Sequence, residues 1–250
     1  MNRLSLSTST PQWSVWLRRH DGWQRGLTAV AGRTTGARAS LTALVWQLLA
    51  DAGLRPDQLD AIACDVGPGS FTGLRQGLVL ARTLAWAHGL PTQGVGSLEA
   101  MAADLPRSEA RAADPPRSEA RAADPPRSEA WAVALPARAD VDFIGHWDAE
   151  GRWQEELLAS GEIADWLQRR GIQRVGVPAA DFGRPLARRV LALGLTLAAV
   201  EPRAERIDGL AASRPPLPAL HLVPRYLSLS EAEVRAGAAV ATEVVIAAAV

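Results

Sequence analysis

The chain has 250 residues, 48% of them hydrophobic and 22% charged, a globular composition that suits one to two domains and excludes disorder throughout. Its 27 basic and 27 acidic side chains cancel, so no global field draws it to nucleic acid, and contact with RNA is expected only through a partner. The one cysteine, Cys64, excludes an internal disulfide and a cysteine zinc cluster.

Three short strands open the chain: Leu4 to Ser9, Trp13 to Arg18 and Leu27 to Val30, separated by Pro11 and the Asp21-Gly22 turn signal. A helical period follows, with Leu41, Leu44, Val45, Leu48, Leu49 and Ala52 on one face and Gly53 as the stop. Leu59 to Val66 is an apolar strand. The glycine-rich run GPGSFTG leads from it into a second helix, Thr72 to His88, ended by Gly89. Thr92 to Val95 is a strand, and Ser97 is expected to cap the helix after it. Strands that begin as hairpins and continue through helical crossovers describe an α/β fold with a mixed sheet.

Residues 102–131 repeat a decapeptide, AADLPRSEAR, AADPPRSEAR and AADPPRSEAW, whose paired prolines and lack of large apolar residues predict a disordered or polyproline-like insertion. A peptide ligand for a proline-binding domain is the alternative use. Beyond it, Trp131 to Ala137 and Val141 to Trp147 read as a hairpin, Glu162 to Arg170 as a helix, and Ile172 to Val177 as a strand. Pro185 to Leu193 is a further helix and Leu195 to Val200 a further strand. Ser230 to Glu233 has the spacing of a capping box and predicts a terminal helix. The expected division is therefore an N-terminal lobe over 1–101, the insertion over 102–130, a smaller C-terminal lobe over 131–229, and a helix or tail over 230–250. Met1 opens no secretory leader, and the longest apolar stretch falls short of the roughly 20 residues a bilayer requires. A cytoplasmic protein without membrane contact is expected.

The chain contains no lysine, so a P-loop lysine, a Schiff base and a lysine general base are all excluded. The most informative stretch is Asp65-Val66-Gly67-Pro68-Gly69-Ser70-Phe71-Thr72-Gly73-Leu74-Arg75, between a strand and a helix. Its small residues suit two uses. Gly67, Gly69, Ser70, Thr72 and Gly73 could form an anion or nucleotide loop on the helix N-terminus, or the glycines could serve a tight, closely packed connection. Gly69-Ser70-Phe71-Thr72-Gly73 is not the Gly-x-Ser-x-Gly elbow of hydrolases, and Ser70 is better suited to capping the helix.

The run from Val66 to Ala102, VGPGSFTGLRQGLVLARTLAWAHGLPTQGVGSLEAMA, together with SLTALVWQLLADAGLRPDQLDAIA before it, resembles the bacterial TsaB family, formerly YeaZ. The likeness is weaker at LSLSTST, at Ala132 to Arg138, and at Pro224-Arg225-Tyr226-Leu227, similar to the family's Pro-x-Tyr-Leu ending. The resemblance implies an actin-like, Hsp70-like (ASKHA, RNase H-like) two-lobed fold with mixed sheets flanked by helices. It also implies a non-catalytic subunit of tRNA threonylcarbamoyladenosine synthesis, binding the catalytic TsaD subunit with the TsaE ATPase, and dimerising when TsaD is absent. Contact with tRNA would be indirect.

Several residues fit that implied inactivity. Ser7 stands where the family usually carries Asp, and Val175-Gly176-Val177-Pro178 offers no acidic residue at the second-lobe turn. Asp181 reads as a surface or helix-cap carboxylate. The two-histidine metal motif of the catalytic paralogue is missing, since His20, His88, His146 and His221 are scattered. No catalytic residue, metal site or cofactor is expected. An ATP-dependent phosphotransferase of the same fold and a metallopeptidase-like protein are the alternatives.

A binding role calls for apolar surface beyond what the core uses. In the second helix Leu74, Leu78, Ala81 and Ala85 form a seam toward the sheet, and Arg75, Val79, Arg82 and Trp86 form another stripe, implying burial on two sides. Trp46 lies off the core face of the first helix. Trp46, Arg75, Val79, Arg82 and Trp86 are the expected partner-binding residues, with coverage of the chain's own domain as the alternative use of the tryptophans.

Overall fold

The computed structural model describes residues 1–31, 40–105, 130–138, 140–148 and 150–225. Most of the decapeptide repeat, Tyr226-Leu227 and the expected terminal helix lie outside the described residues.

The first sheet contains β1 (Arg3–Ser7), β2 (Gln12–Arg18), β3 (Gln24–Val30), β4 (Ala61–Gly67) and β5 (Thr92–Gly96), in the order β3-β2-β1-β4-β5. The hairpins make β1, β2 and β3 antiparallel, while β1, β4 and β5 run parallel. Between the parallel strands the chain crosses over through α1 (Leu41–Ala52) and α2 (Phe71–His88). Ser40 caps α1 by accepting the Ala43 N–H at 3.0 Å, and Gly53 closes it in the left-handed region. Alternation along the strands sends Leu4, Leu6, Ile62 and Cys64 toward α1 and α2, in a core with Val45, Leu48, Leu49, Leu78 and Ala81.

The second sheet repeats the arrangement. β6 (Trp131–Arg138), β7 (Val141–Trp147), β8 (Trp153–Ala159), β9 (Arg174–Val177) and β10 (Thr196–Ala199) lie in the order β10-β9-β6-β7-β8. β6, β7 and β8 again form antiparallel hairpins, and β6, β9 and β10 again run parallel. α4 (Ile163–Arg169) and α5 (Pro185–Ala192) cover one face through Ile163, Trp166, Leu167, Leu186 and Val190.

Between the sheets lies α3 (Ser97–Ala102), buried along nearly its whole length. Ala100 packs with Ala63 and Val95 of the first lobe, whereas Leu98 and Met101 pack with Val133, Leu135 and Phe143 of the second. The lobes are thus joined by a shared helix, not by a bare linker. Ser97 does not cap it. β5 runs directly to Gly96, which is the cap residue, so Ser97 is already in the first turn with its hydroxyl buried and unpaired.

The structure shifts two boundaries of the expected domain division. Ala102–Leu105, assigned by sequence to the insertion, are packed: Leu105 joins the core between the lobes, and Asp104 accepts from Arg206 at 2.7 Å. The span 131–229 is also divided. Residues 131–200 build the second lobe, but α6 (Ala204–Ala211), which the sequence reading did not identify, returns to the first sheet and packs on Ala63 and Val95 through Ile207 and Ala211. The cause is electrostatic as well as apolar. Arg3, only 1% exposed, donates from Nε to Asp208 Oδ1 at 2.6 Å and from a terminal nitrogen to the Asp208 carbonyl, while Arg18 reaches Asp208 Oδ2 at 2.9 Å. A guanidinium buried this deeply needs that carboxylate.

Asp208→Ala is expected to lower stability by about 3 to 5 kcal/mol, because it leaves Arg3 charged and unpaired beneath the sheet. A urea titration monitored by tryptophan fluorescence checks this, and should show the loss as a lower midpoint.

Candidate functional site

The glycine-rich turn is built around a carboxylate. Asp65, fully buried near the end of β4, accepts the N–H groups of Thr8 and Ser9 at 3.0 and 2.9 Å and the Ser7 hydroxyl at 3.0 Å. Burial pushes its carboxyl above the ordinary carboxylate range, against the pull of the hydrogen bonds from Ser9, Thr8 and Ser7. These bonds hold the β1–β2 turn down on the first turn of α2. Contact there is close enough to dictate glycine: a Cβ on Gly69, at φ 154°, would come 2.5 Å from the Ser9 carbonyl, and one on Gly73 would come 2.1 Å from the Thr8 carbonyl.

The same packing occupies polar groups that an anion would require. The Ser70 N–H donates to the Ser9 carbonyl at 2.7 Å, and the Ser70 side chain caps α2 by accepting the Gly73 N–H at 3.2 Å. Gly67 and Pro68 are joined by a cis peptide, and Thr72 is exposed. Of the two uses open for Gly67, Gly69, Ser70, Thr72 and Gly73, the geometry at Gly69, Ser70 and Gly73 is that of a closely packed connection.

The carboxylates and histidines are dispersed. His20 lies in the β2–β3 turn, His88 at the end of α2, His146 on β7, and His221 in a turn beside α2. His146 is engaged with Glu156 at 3.0 Å. Among the described residues no three His, Cys, Asp or Glu side chains converge to hold a metal ion. Asp181 is neither a surface group nor a helix cap: it is half-buried beside Arg184, and burial pushes its carboxyl up. Glu201, also pushed up by burial, accepts from the Thr10 hydroxyl at 3.2 Å where the chain crosses back between the lobes.

The seam of α2 lies against the sheet as expected, with Leu74, Leu78, Ala81 and Ala85 buried. The outer stripe differs from the expected burial on two sides. Val79 is 61% exposed and Trp86 72%, because the layer carrying α1 and α2 is outermost and no further element covers it among the described residues. Trp46, on the neighbouring α1, is 49% exposed. Arg75 stacks its guanidinium over Phe71 at 3.8 Å, and Arg82 is partly buried. The last described segment carries no periodic pattern that would place it. Leu217 pairs with Thr92 at the start of β5, and the Arg225 N–H donates to the Val66 carbonyl at the end of β4. The chain therefore runs back along α2 and exposes Leu220 and Val223 in the same outer layer.

Asp65→Ser should remove a pH-dependent part of the stability. The folded state binds the Asp65 proton more tightly than the unfolded chain, so this group's contribution rises as pH falls from neutral toward the ordinary carboxylate range. Urea midpoints at pH 7 and pH 5 check this: the native chain should gain more on acidification than the variant.

A family model described as TsaD, tRNA N6-adenosine threonylcarbamoyltransferase, matches residues 37–118. An uncharacterized protein of Mycobacterium tuberculosis is 42% identical over 103 residues, covering 39% of this chain and 46% of the relative. The tRNA threonylcarbamoyladenosine biosynthesis protein TsaB of Bacillus subtilis is 36% identical over 104 residues, covering 42% of this chain and 44% of that one. The matched stretch thus spans less than half the length of these relatives. Structural likeness extends further. A crystal structure of an uncharacterized protein with similarity to peptidase YEAZ from Pseudomonas aeruginosa superposes with a TM-score of 0.64 at 26% identity, covering 91% of this chain and 99% of that one. A second, YeaZ from the same organism, gives a TM-score of 0.62 at 25% identity. With two mixed sheets of one topology, the two-lobed ASKHA architecture and the glycine turn leading into α2, the chain is similar to the TsaB (YeaZ) family in its matched stretch and in its fold.

Proposed function

We propose that this chain is a non-catalytic, protein-binding subunit in the synthesis of threonylcarbamoyladenosine on tRNA. It supports a TsaD-type threonylcarbamoyltransferase, joined by the TsaE ATPase, and self-associates through the same face when that partner is absent. Its contact with tRNA runs through the complex, in keeping with a chain whose 27 basic and 27 acidic groups cancel. The names of the TsaB relatives and the TsaD family model support the pathway.

The observation that carries the binding role is the outer stripe of α2. Val79 and Trp86 are held at 61% and 72% exposure on a helix whose other side is locked to the sheet, and α1, which shares its core, carries a half-exposed Trp46. Large apolar groups grouped on one rigid layer are the surface a partner helix desolvates, with tryptophan as the usual anchor. A scaffold role also agrees with the strand-end turn, where the Thr8 and Ser9 amides are used to hold Asp65 and the Ser70 amide to hold the Ser9 carbonyl. Donors used in this way pack the turn and leave less to grip a phosphate.

The double variant Val79→Glu/Trp86→Asp is expected to weaken binding to the TsaD-type partner at least about 100-fold, the scale of losing an aromatic hot spot. It should weaken self-association equally and leave the circular dichroism melting curve unchanged. Leu191→Asp, on exposed α5 of the second lobe, should bind normally. Co-purification followed by a tRNA modification assay with and without the chain tests the reading, and undiminished binding by the double variant overturns it.

A further inference from the structure

One ionic contact links the second lobe to the turn at the start of α2. Glu155 projects from β8 toward the first lobe with its side chain 4% exposed. One carboxylate oxygen accepts the Trp153 Nε1–H at 2.8 Å, and the other accepts from the Arg225 guanidinium. Glu99 of α3 also faces this group, itself paired with Arg214. Burial and Glu99 push the Glu155 carboxyl up, and Arg225 opposes them. Without Arg225 the buried carboxylate keeps a single donor, an unfavourable state for a charge so shielded from water.

The main chain of Arg225 performs a second task. Its N–H donates to the Val66 carbonyl at 2.7 Å, and its own carbonyl lies so close to Gly67 that a Cβ there would approach within 2.8 Å. One residue therefore grips the entrance to the Gly67–Ser70 turn through its backbone and the second sheet through its side chain. A separate link, from the Thr10 hydroxyl to Glu201, reaches the β1–β2 turn through side chains. The α3 core and the Asp104–Arg206 pair bind the lobes together elsewhere.

We propose that the Arg225–Glu155 pair is a conformational latch through which the second lobe holds the Gly67–Ser70 turn and the first turn of α2 in place. Coupling across the lobes then has a defined route: β8 fixes the guanidinium, the guanidinium fixes the Arg225 backbone, and the backbone fixes the strand end from which α2 departs. The latch operates whether or not α2 meets a partner.

Hydrogen exchange measured by mass spectrometry on the full chain tests this. Glu155→Met is the informative variant, since residue 155 lies in the second lobe and Arg225, released, can turn its charge to water. It should speed exchange in peptides spanning residues 66–76 at least tenfold, while peptides from β1 and β6 stay within twofold of the native chain. Arg225→Met should do the same. The latch is overturned if Glu155→Met leaves residues 66–76 within twofold of native. It is equally overturned if β1 and β6 accelerate together with them, because the pair would then serve global stability alone.

Discussion

The buried carboxylate of Asp65 sets the geometry around which the first lobe is organised. By accepting the Thr8 and Ser9 amides it draws the β1–β2 turn across the end of β4, and that turn in turn lies against Gly69 and Gly73 at distances no side chain would allow. α2 is therefore pinned at its N-terminus by backbone contact and along its length by Leu74, Leu78, Ala81 and Ala85. A helix held this firmly on one side would meet a partner through Trp86 and Val79 with little further cost in backbone entropy.

Both lobes use one strand order, three antiparallel strands followed by two parallel ones, and each covers its outer face with a pair of helices. What separates them is the treatment of the inner face. There α3 is shared, with Ala100 in an apolar cluster of the first sheet and Leu98 and Met101 in one of the second. Sliding or opening the lobes would expose these side chains to water. Ion pairs at the margin of this core, Asp104 with Arg206, Glu99 with Arg214 and Glu155 with Arg225, link the returning C-terminal segment to α3 and β8.

Much of this was legible before any coordinates. The caps of α1 and α2 at Gly53, Ser70 and Gly89 rest on local chemistry, because their side chains and left-handed conformations act within one turn of chain. The alternation in β1, β2 and β4 and the seam of α2 are equally local. β8 and α6 were not legible. In WQEELLA three polar residues interrupt the alternation, since Glu155 and Glu156 both find partners from distant elements, and AERIDGLA is short, contains Gly209 and shows only two large apolar residues.

The sequence by itself determined the types of most elements, the α/β class, the family resemblance at the GPGSFTGLR turn and the division of α2 into two faces, because each depends on residues within a few turns of one another. Only the tertiary structure decided where residues 201–225 go, what the glycines pack against, which carboxylates are buried, and that one face of α2 is exposed among the described residues. Those outcomes depend on partners such as Arg3 with Asp208 and Arg225 with Glu155, separated by 205 and 70 positions, and no local pattern announces a pairing at that range.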